Sequence, residues 1–297
     1  MPSAPHIEPF FDEATFTVTY LVGDPVTREA VVIDPVLDYD PLSGKVSTGS
    51  ADAVLAAARA GDWRITMVLE THAHADHLSA AQWFKTRTGA LIGIGEHIRD
   101  TQDVFRPMFA ITDLKPDAGD FDLLFADGDR FMVGGLEFEV LFTPGHTPAD
   151  VSYKVADAVF VGDTVFMPDY GTARTDFPGG DARVLYRSIR RLLALPRETR
   201  LFMCHDYKAP GRDRYAWECT VADQRDNAVQ AHDGIGQDEF VATRKARDAG
   251  LAPPRLLLPA IQVNVRAGRF PPPEASGARF LRIPVRIDSA AAAALGD

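Results

Sequence analysis

Short apolar runs rich in valine, isoleucine, phenylalanine and tyrosine alternate with polar, glycine- and proline-bearing turns through most of this chain, which predicts strands more often than long helices. Residues 16–22 and 30–34 flank Gly23-Asp24-Pro25 and predict an opening hairpin, followed by a polar loop over 38–50. The alanine-rich stretch 51–60 predicts a helix stopped by Gly61. A buried strand is expected at 64–69, and Ser79 is placed to cap a helix over 80–86. A second cycle predicts a strand at 90–94 and a helix at 96–105. Strands at 130–133 and 136–142 join through Gly134-Gly135, and 151–155 with 158–161 reads as another pair. The clearest amphipathic helix spans 182–195, a strand follows at 200–203, and helices are predicted at 213–231 and 238–249. No element is assigned to the proline-rich tail from Leu251. Strands interleaved with helices predict a layered α/β protein, one domain over 1–297 with the segment 213–297 packed on it.

Composition narrows the function. With 42 acidic against 31 basic residues and a formal charge of −11, the chain would repel a nucleic-acid backbone, so no nucleic-acid partner is expected. Two cysteines, Cys204 and Cys219, are too few for a disulfide scaffold and predict free thiols in a reducing compartment. The first residues lack a basic segment followed by an apolar run, and no apolar stretch reaches the roughly 20 residues that cross a bilayer. The expectation is a soluble, cytoplasmic protein with no membrane partner.

Candidate chemistry collects at the strand ends. The turn T-H-A-H-A-D-H, residues 71–77, brings His72, His74, Asp76 and His77 together after the strand at 64–69. T-P-G-H-T at 143–147 adds His146, G-D-T at 162–164 adds Asp163, and C-H-D-Y at 204–207 adds His205. Loops at strand ends of layered α/β proteins converge on one edge, so these groups are expected to meet. Burying so many imidazoles and carboxylates without a shared partner would be costly, and a metal ion satisfies them together. His6, His97 and His232 read as ordinary surface or packing residues, and Cys204 as a buried, inert thiol.

H-x-H-x-D-H after a strand, then P-G-H-T, G-D-T and a final strand-end histidine, resembles the metallo-β-lactamase superfamily. That resemblance implies an αββα four-layer sandwich with its metal site on one edge. In its general form it implies two zinc ions, one on His72, His74 and His146, the other on Asp76, His77 and His205, with Asp163 bridging. A-R-T-D-F at 173–177, H-A-D-H at 74–77, H-D-Y at 205–207 and V-N-V-R-A-G at 263–268 further resemble the persulfide dioxygenase branch. This implies one Fe(II) per chain on His72, His146 and Asp163, oxidising glutathione persulfide with O2 and water to sulfite and glutathione. His74, Asp76, His77 and His205 would then orient the ligands or close an alternative second metal site. Arg174 and Tyr207 would support substrate or catalysis, although Arg174 also fits an ion pair with Asp176. A homodimer is consistent with the resemblance. The alternative is a dinuclear Zn(II) hydrolase of glutathione thioesters resembling glyoxalase II. Against it, His205 is followed by Asp-Tyr, and no obvious run of basic residues for glutathione is expected in the C-terminal segment.

Overall fold

The computed structural model describes residues 4–288. Two six-stranded mixed sheets face each other. The first runs in the order His6–Asp12, Thr17–Gly23, Glu29–Ile33, Arg64–Leu69, Leu91–Gly95, Leu123–Phe125. Its first three strands are antiparallel and the rest parallel, as the helical crossovers between them require. The second sheet runs Arg130–Val133, Leu136–Phe142, Val151–Val155, Ala158–Phe160, Arg200–Phe202, Glu218–Thr220. Gly134, at φ 58°, lets the two-residue turn bring Val133 opposite Leu136.

Period-two alternation explains the layering. Val18, Tyr20, Val22, Val31 and Ile33 of the first sheet meet Phe138, Val140, Tyr153 and Phe160 of the second in one central core. The opposite face of the first sheet, with Leu21, Val32 and Val68, is covered by the helices Gly49–Ala60, Ala81–Thr88, Ile98–Met108 and Leu257–Asn264. The outer face of the second sheet is covered by Ala182–Leu193, Val221–Asn227 and Gln237–Asp248. The αββα sandwich expected from the sequence is the observed architecture. Helix Ala182–Leu193 buries Leu185, Ile189 and Leu192 on one stripe, and Asp181 caps it, accepting from the backbone N–H of Arg183 (2.7 Å) and Val184 (2.9 Å). No helix among the described residues is long and apolar enough to cross a membrane.

Several expectations need correction. The polar loop over 38–50 contains a small ladder, Val36–Asp40 with Lys45–Ser47, whose exposed edge gives no apolar signal. The helix expected over 213–231 is an irregular segment, the edge strand Glu218–Thr220 and the shorter helix Val221–Asn227, started by a Thr220–Asp223 capping box. The first strand, His6–Asp12, carries Pro9 and half-buried positions that hide it, as suits an edge strand. Ser79 Oγ accepts from Ala81 N–H (3.0 Å), yet Ser79 also pairs in a short strand, and the helix starts one residue later than expected. The tail supplies the helix Leu257–Asn264, and the segment after 212 supplies elements to both outer layers. Residues 289–297 of that tail lie outside the described residues.

The two sheets are also joined by a polar contact. The Tyr20 hydroxyl, buried in the central core, donates to the Met203 carbonyl at 2.6 Å. Removing it leaves a buried carbonyl without a donor, which costs about 1–3 kcal/mol. Tyr20→Phe is therefore expected to lower the urea midpoint by that amount of stability with an unchanged far-ultraviolet spectrum.

Candidate metal centre

All seven candidate groups meet at one edge of the sandwich, each delivered where a strand ends. His72 to His77 follow Arg64–Leu69, the strand paired on both sides at the middle of the first sheet. His146, Asp163 and His205 follow Leu136–Phe142, Ala158–Phe160 and Arg200–Phe202 of the second sheet. His72, His74, His77 and His205 are at most 1 % exposed, His146 5 % and Asp163 6 %, so water cannot satisfy most of their polar atoms.

Each imidazole is fixed through one ring nitrogen. His146 Nδ1 donates to the Arg174 carbonyl at 2.8 Å, and His205 Nδ1 to the Phe16 carbonyl at 3.1 Å. His72 Nδ1 lies 3.2 Å from Thr71 Oγ1, and His77 Nδ1 3.4 Å from Thr17 Oγ1. His74 Nε2 lies 2.9 Å from Asp34 Oδ1. The opposite nitrogens of four of them, His72 Nε2, His74 Nδ1, His77 Nε2 and His205 Nε2, are buried with no hydrogen-bond partner, as are Asp76 Oδ2 and Asp163 Oδ1. Such a set of orphaned donors facing one space is what a metal ion requires, because its ligands offer lone pairs inward and hold their rings from behind.

The spacing agrees. Asp163 Oδ2 stands 3.5 Å from His146 Nε2 and 3.9 Å from His72 Nε2, and these three residues form one group of donor atoms within 4.8 Å. Ligands about 2.0–2.2 Å from a shared ion necessarily sit a little over 3 Å apart. His74, Asp76, His77 and His205 form a second such group within 4.8 Å. His205 Nε2 is 3.2 Å from Asp76 Oδ2 and 3.3 Å from Asp163 Oδ1, so Asp163 faces both groups, one oxygen to each.

Electrostatics follow from this crowding. Burial pushes the imidazoles of His72 and His77 below their usual value, with neighbouring imidazoles adding to the effect, and so favours the neutral form that binds metals. Burial opposes a charge on His74 as well, but the Asp34 carboxylate against its Nε2 raises it to about 10. Asp76 resists burial and is held below the usual carboxylate range by His205 and His77. Cys204 is 2 % exposed with its thiol pushed up by burial, as expected of an inert residue.

Asp34 was not among the sequence candidates, although it too stands at a strand end. It accepts from Thr71 N–H (2.8 Å) and Thr71 Oγ1 (2.9 Å) as well as facing His74, and it holds the start of the histidine turn. Its signal was the Asp-Pro pair closing the second strand, which reads equally well as a turn.

Above the centre opens a cleft of about 690 Å³, lined by Asp76, His146 and Asp163 and walled by aromatic rings including Phe16, Phe166 and Tyr170. Tyr207 lies in this wall, its ring stacked 5.7 Å from that of His205. Arg174 also lines the cleft, but its guanidinium makes a two-pronged pair with Asp176 (2.6 and 2.8 Å) and donates to the Ala252 carbonyl (2.7 Å). The ion-pair expectation for Arg174 describes this geometry, and the carboxylate-binding fork faces Asp176. Three other cations line the cleft from the C-terminal segment, Arg244, Arg247 and Arg255, the first two belonging to the short basic stretch R-K-A-R at 244–247, which corrects the expectation that this segment has no basic run.

A family model for the metallo-beta-lactamase superfamily matches residues 13–205, which include all seven groups. The chain belongs to that superfamily. A probable metallo-hydrolase of Burkholderia pseudomallei is 51 % identical over 94 % of this chain and 98 % of its own length. Glyoxylase B2 of Dictyostelium discoideum is 41 % identical over 96 % of this chain and 98 % of its own. The human mitochondrial persulfide dioxygenase ETHE1 is 30 % identical over 66 % of both chains. The crystal structure of ETHE1 from Myxococcus xanthus superposes with a TM-score of 0.71 at 31 % identity, covering 89 % of this chain and all of that one. Superfamily membership makes this a metal-binding edge in an enzyme fold; these relatives carry both hydrolase and dioxygenase names.

One backbone position in the site admits only glycine. Gly145, beside His146, has φ +136°, and a Cβ there would stand 2.3 Å from the Leu185 backbone nitrogen. Gly145→Ala must displace either the loop or the helix Ala182–Leu193. The expected outcome is protein purified with less than half the metal of the wild type, measured by inductively coupled plasma spectrometry, together with a lower unfolding temperature.

Proposed function

We propose that this chain is a persulfide dioxygenase acting on a low-molecular-weight thiol persulfide such as glutathione persulfide. The overall reaction is RSSH + O2 + H2O → RSH + sulfite + 2 H⁺, in which the outer sulfur loses four electrons and dioxygen takes them up. The observation that carries the reading is the pairing of two inward-facing imidazoles, His72 and His146, with one carboxylate, Asp163, beneath an aromatic cleft. Two histidines and one carboxylate are the donor set of non-haem iron oxygenases, and they leave coordination positions open. A ferrous ion held there would supply the redox capacity toward dioxygen that zinc lacks. The likeness to ETHE1 over 89 % of the chain supports the same reading.

The chain's own residues have separable tasks. The Arg174 and Thr71 contacts hold the imidazoles of His146 and His72 in the tautomer that leaves Nε2 free. The rings of Phe16, Phe166 and Tyr170 exclude water and offer a soft, polarisable wall to sulfur. Asp76, held ionised and lining the cleft, is a weak base that stays charged and orients water at the cleft floor as a hydrogen-bond acceptor. Arg247, which lies 4.8 Å over the Tyr170 ring, and Arg255, whose charge also acts on Asp40, line the cleft and attract the carboxylates of the thiol.

A second reading, a dinuclear zinc hydrolase of glutathione thioesters, is favoured by the complete group His74, Asp76, His77 and His205 and by the hydrolase name of the Burkholderia relative. Protein purified without oxygen separates the two. The dioxygenase is expected to hold one iron per chain and to consume dioxygen with stoichiometric sulfite when glutathione persulfide is added. Two tightly held zinc ions, turnover of lactoylglutathione and no oxygen uptake would select the hydrolase. Arg247→Gln and Arg255→Gln are each expected to raise KM for glutathione persulfide about tenfold with kcat within twofold, the signature of lost uniform binding.

A further inference from the structure

The turn that bears His72, His74, Asp76 and His77 is poorly held by its own backbone. Among the described residues none of 72–77 takes part in a backbone–backbone hydrogen bond. The anchor comes instead from the far end of the chain. Asn264, the last residue of the helix Leu257–Asn264 and 4 % exposed, donates through Nδ2 to the carbonyls of His74 and His77, both at 2.8 Å. Its Oδ1 accepts from the Ser79 N–H, also at 2.8 Å. Two acceptors on one side and a donor on the other fix the orientation of the amide. Close approach is built into the same segment: Gly268 has φ +78°, and a Cβ there would stand 2.8 Å from the Ser79 carbonyl.

We propose that Asn264 is a positioning residue for the metal centre, an internal clamp that sets the histidine turn in its metal-binding shape before an ion arrives. The inference rests on reading that turn as a metal site and is indifferent to which reaction the metal serves. A side chain that satisfies both carbonyls lowers the number of conformations the turn must lose when it closes on an ion, and so raises affinity without touching the ion. Asparagine is needed because three partners of mixed polarity surround one short side chain. Aspartate has the same shape but no donors, so Asn264→Asp turns two hydrogen bonds into oxygen–oxygen contacts.

The test uses the full chain stripped of metal, with Co(II) as a spectroscopic probe. Asn264→Asp and Asn264→Ala are each expected to weaken Co(II) binding by on the order of 10–100-fold and to alter the visible ligand-field bands. The melting temperature should fall further in the Co(II)-loaded than in the metal-free protein. Gln262→Ala is the control: Gln262 lies two residues away and bonds the Leu258 and Arg282 backbones, so it should lower the melting temperature while leaving Co(II) affinity unchanged. Equal Co(II) affinity and identical bands in the wild type and both Asn264 variants would overturn the proposal. If neither variant folds, hydrogen exchange on the metal-free wild type decides: a protected Ser79 amide supports the clamp, and one exchanging at the free-chain rate refutes it. A wild-type chain that takes up no Co(II) would remove the metal reading itself, a failure distinct from that of the clamp.

Discussion

Everything at this site depends on one constraint: an imidazole has two nitrogens, and a buried one must satisfy both. Here one nitrogen of each ring is spent on a protein partner, the Arg174 carbonyl, the Phe16 carbonyl, Asp34, or the hydroxyls of Thr71 and Thr17. Four of the five opposite nitrogens are left buried and unpaired. Such an arrangement is unfavourable in a chain without a ligand and favourable in one that binds a cation, because the cost of desolvation has been met by folding. The sandwich supplies that folding energy from its three apolar cores and spends some of it to hold the rings in place.

The supports are spread along the chain. His146 takes its orientation from the Arg174 carbonyl, and the loop bearing it is held in turn by Asp248, which accepts from the Thr175 backbone and hydroxyl at 3.0 Å. Arg244, 1 % exposed, donates to the Thr172 carbonyl at 2.7 Å and pairs with that same Asp248. A buried charge pair of this kind adds little net stability, yet breaking one partner strands the other, so its effect is to specify one loop geometry. Arg244 and Asp248 lie outside 13–205, where the superfamily match ends. The ligands therefore belong to the shared fold, and the segment beyond it adjusts how rigidly they are held and which cations face the cleft.

How much of this is legible in sequence follows from which interactions are local. The histidine turn is legible because four donors fall within six residues, and the strands around it because their alternation is strong. Strands that lie at sheet edges, such as His6–Asp12 with its Pro9 and Lys45–Ser47 with no buried residue, carry no such pattern. Asp34 and Asn264 were not legible as site residues for a different reason. Each acts on backbone or ring atoms far along the chain, and nothing in Asp34-Pro35 or V-N-V-R-A-G states which atoms those are. Arg247 escaped notice because the basic stretch at 244–247 reads equally well as the charged side of a surface helix, and Arg255 because it stands alone in a proline-rich segment.

His205 is where the one-metal and two-metal readings part. Its Nδ1 gives its proton to the Phe16 carbonyl, so a neutral ring turns a lone pair on Nε2 toward Asp76 Oδ2 at 3.2 Å and Asp163 Oδ1 at 3.3 Å. A lone pair facing two carboxylate oxygens is repulsive, and something positive must stand between them. A second metal ion would do this directly. With one ion on His72, His146 and Asp163, Nε2 of His205 faces the two carboxylate oxygens without an aligned hydrogen bond, although the distances would admit one. Asp163 links the two groups, because the more of its charge a first ion draws away, the less remains to hold a second.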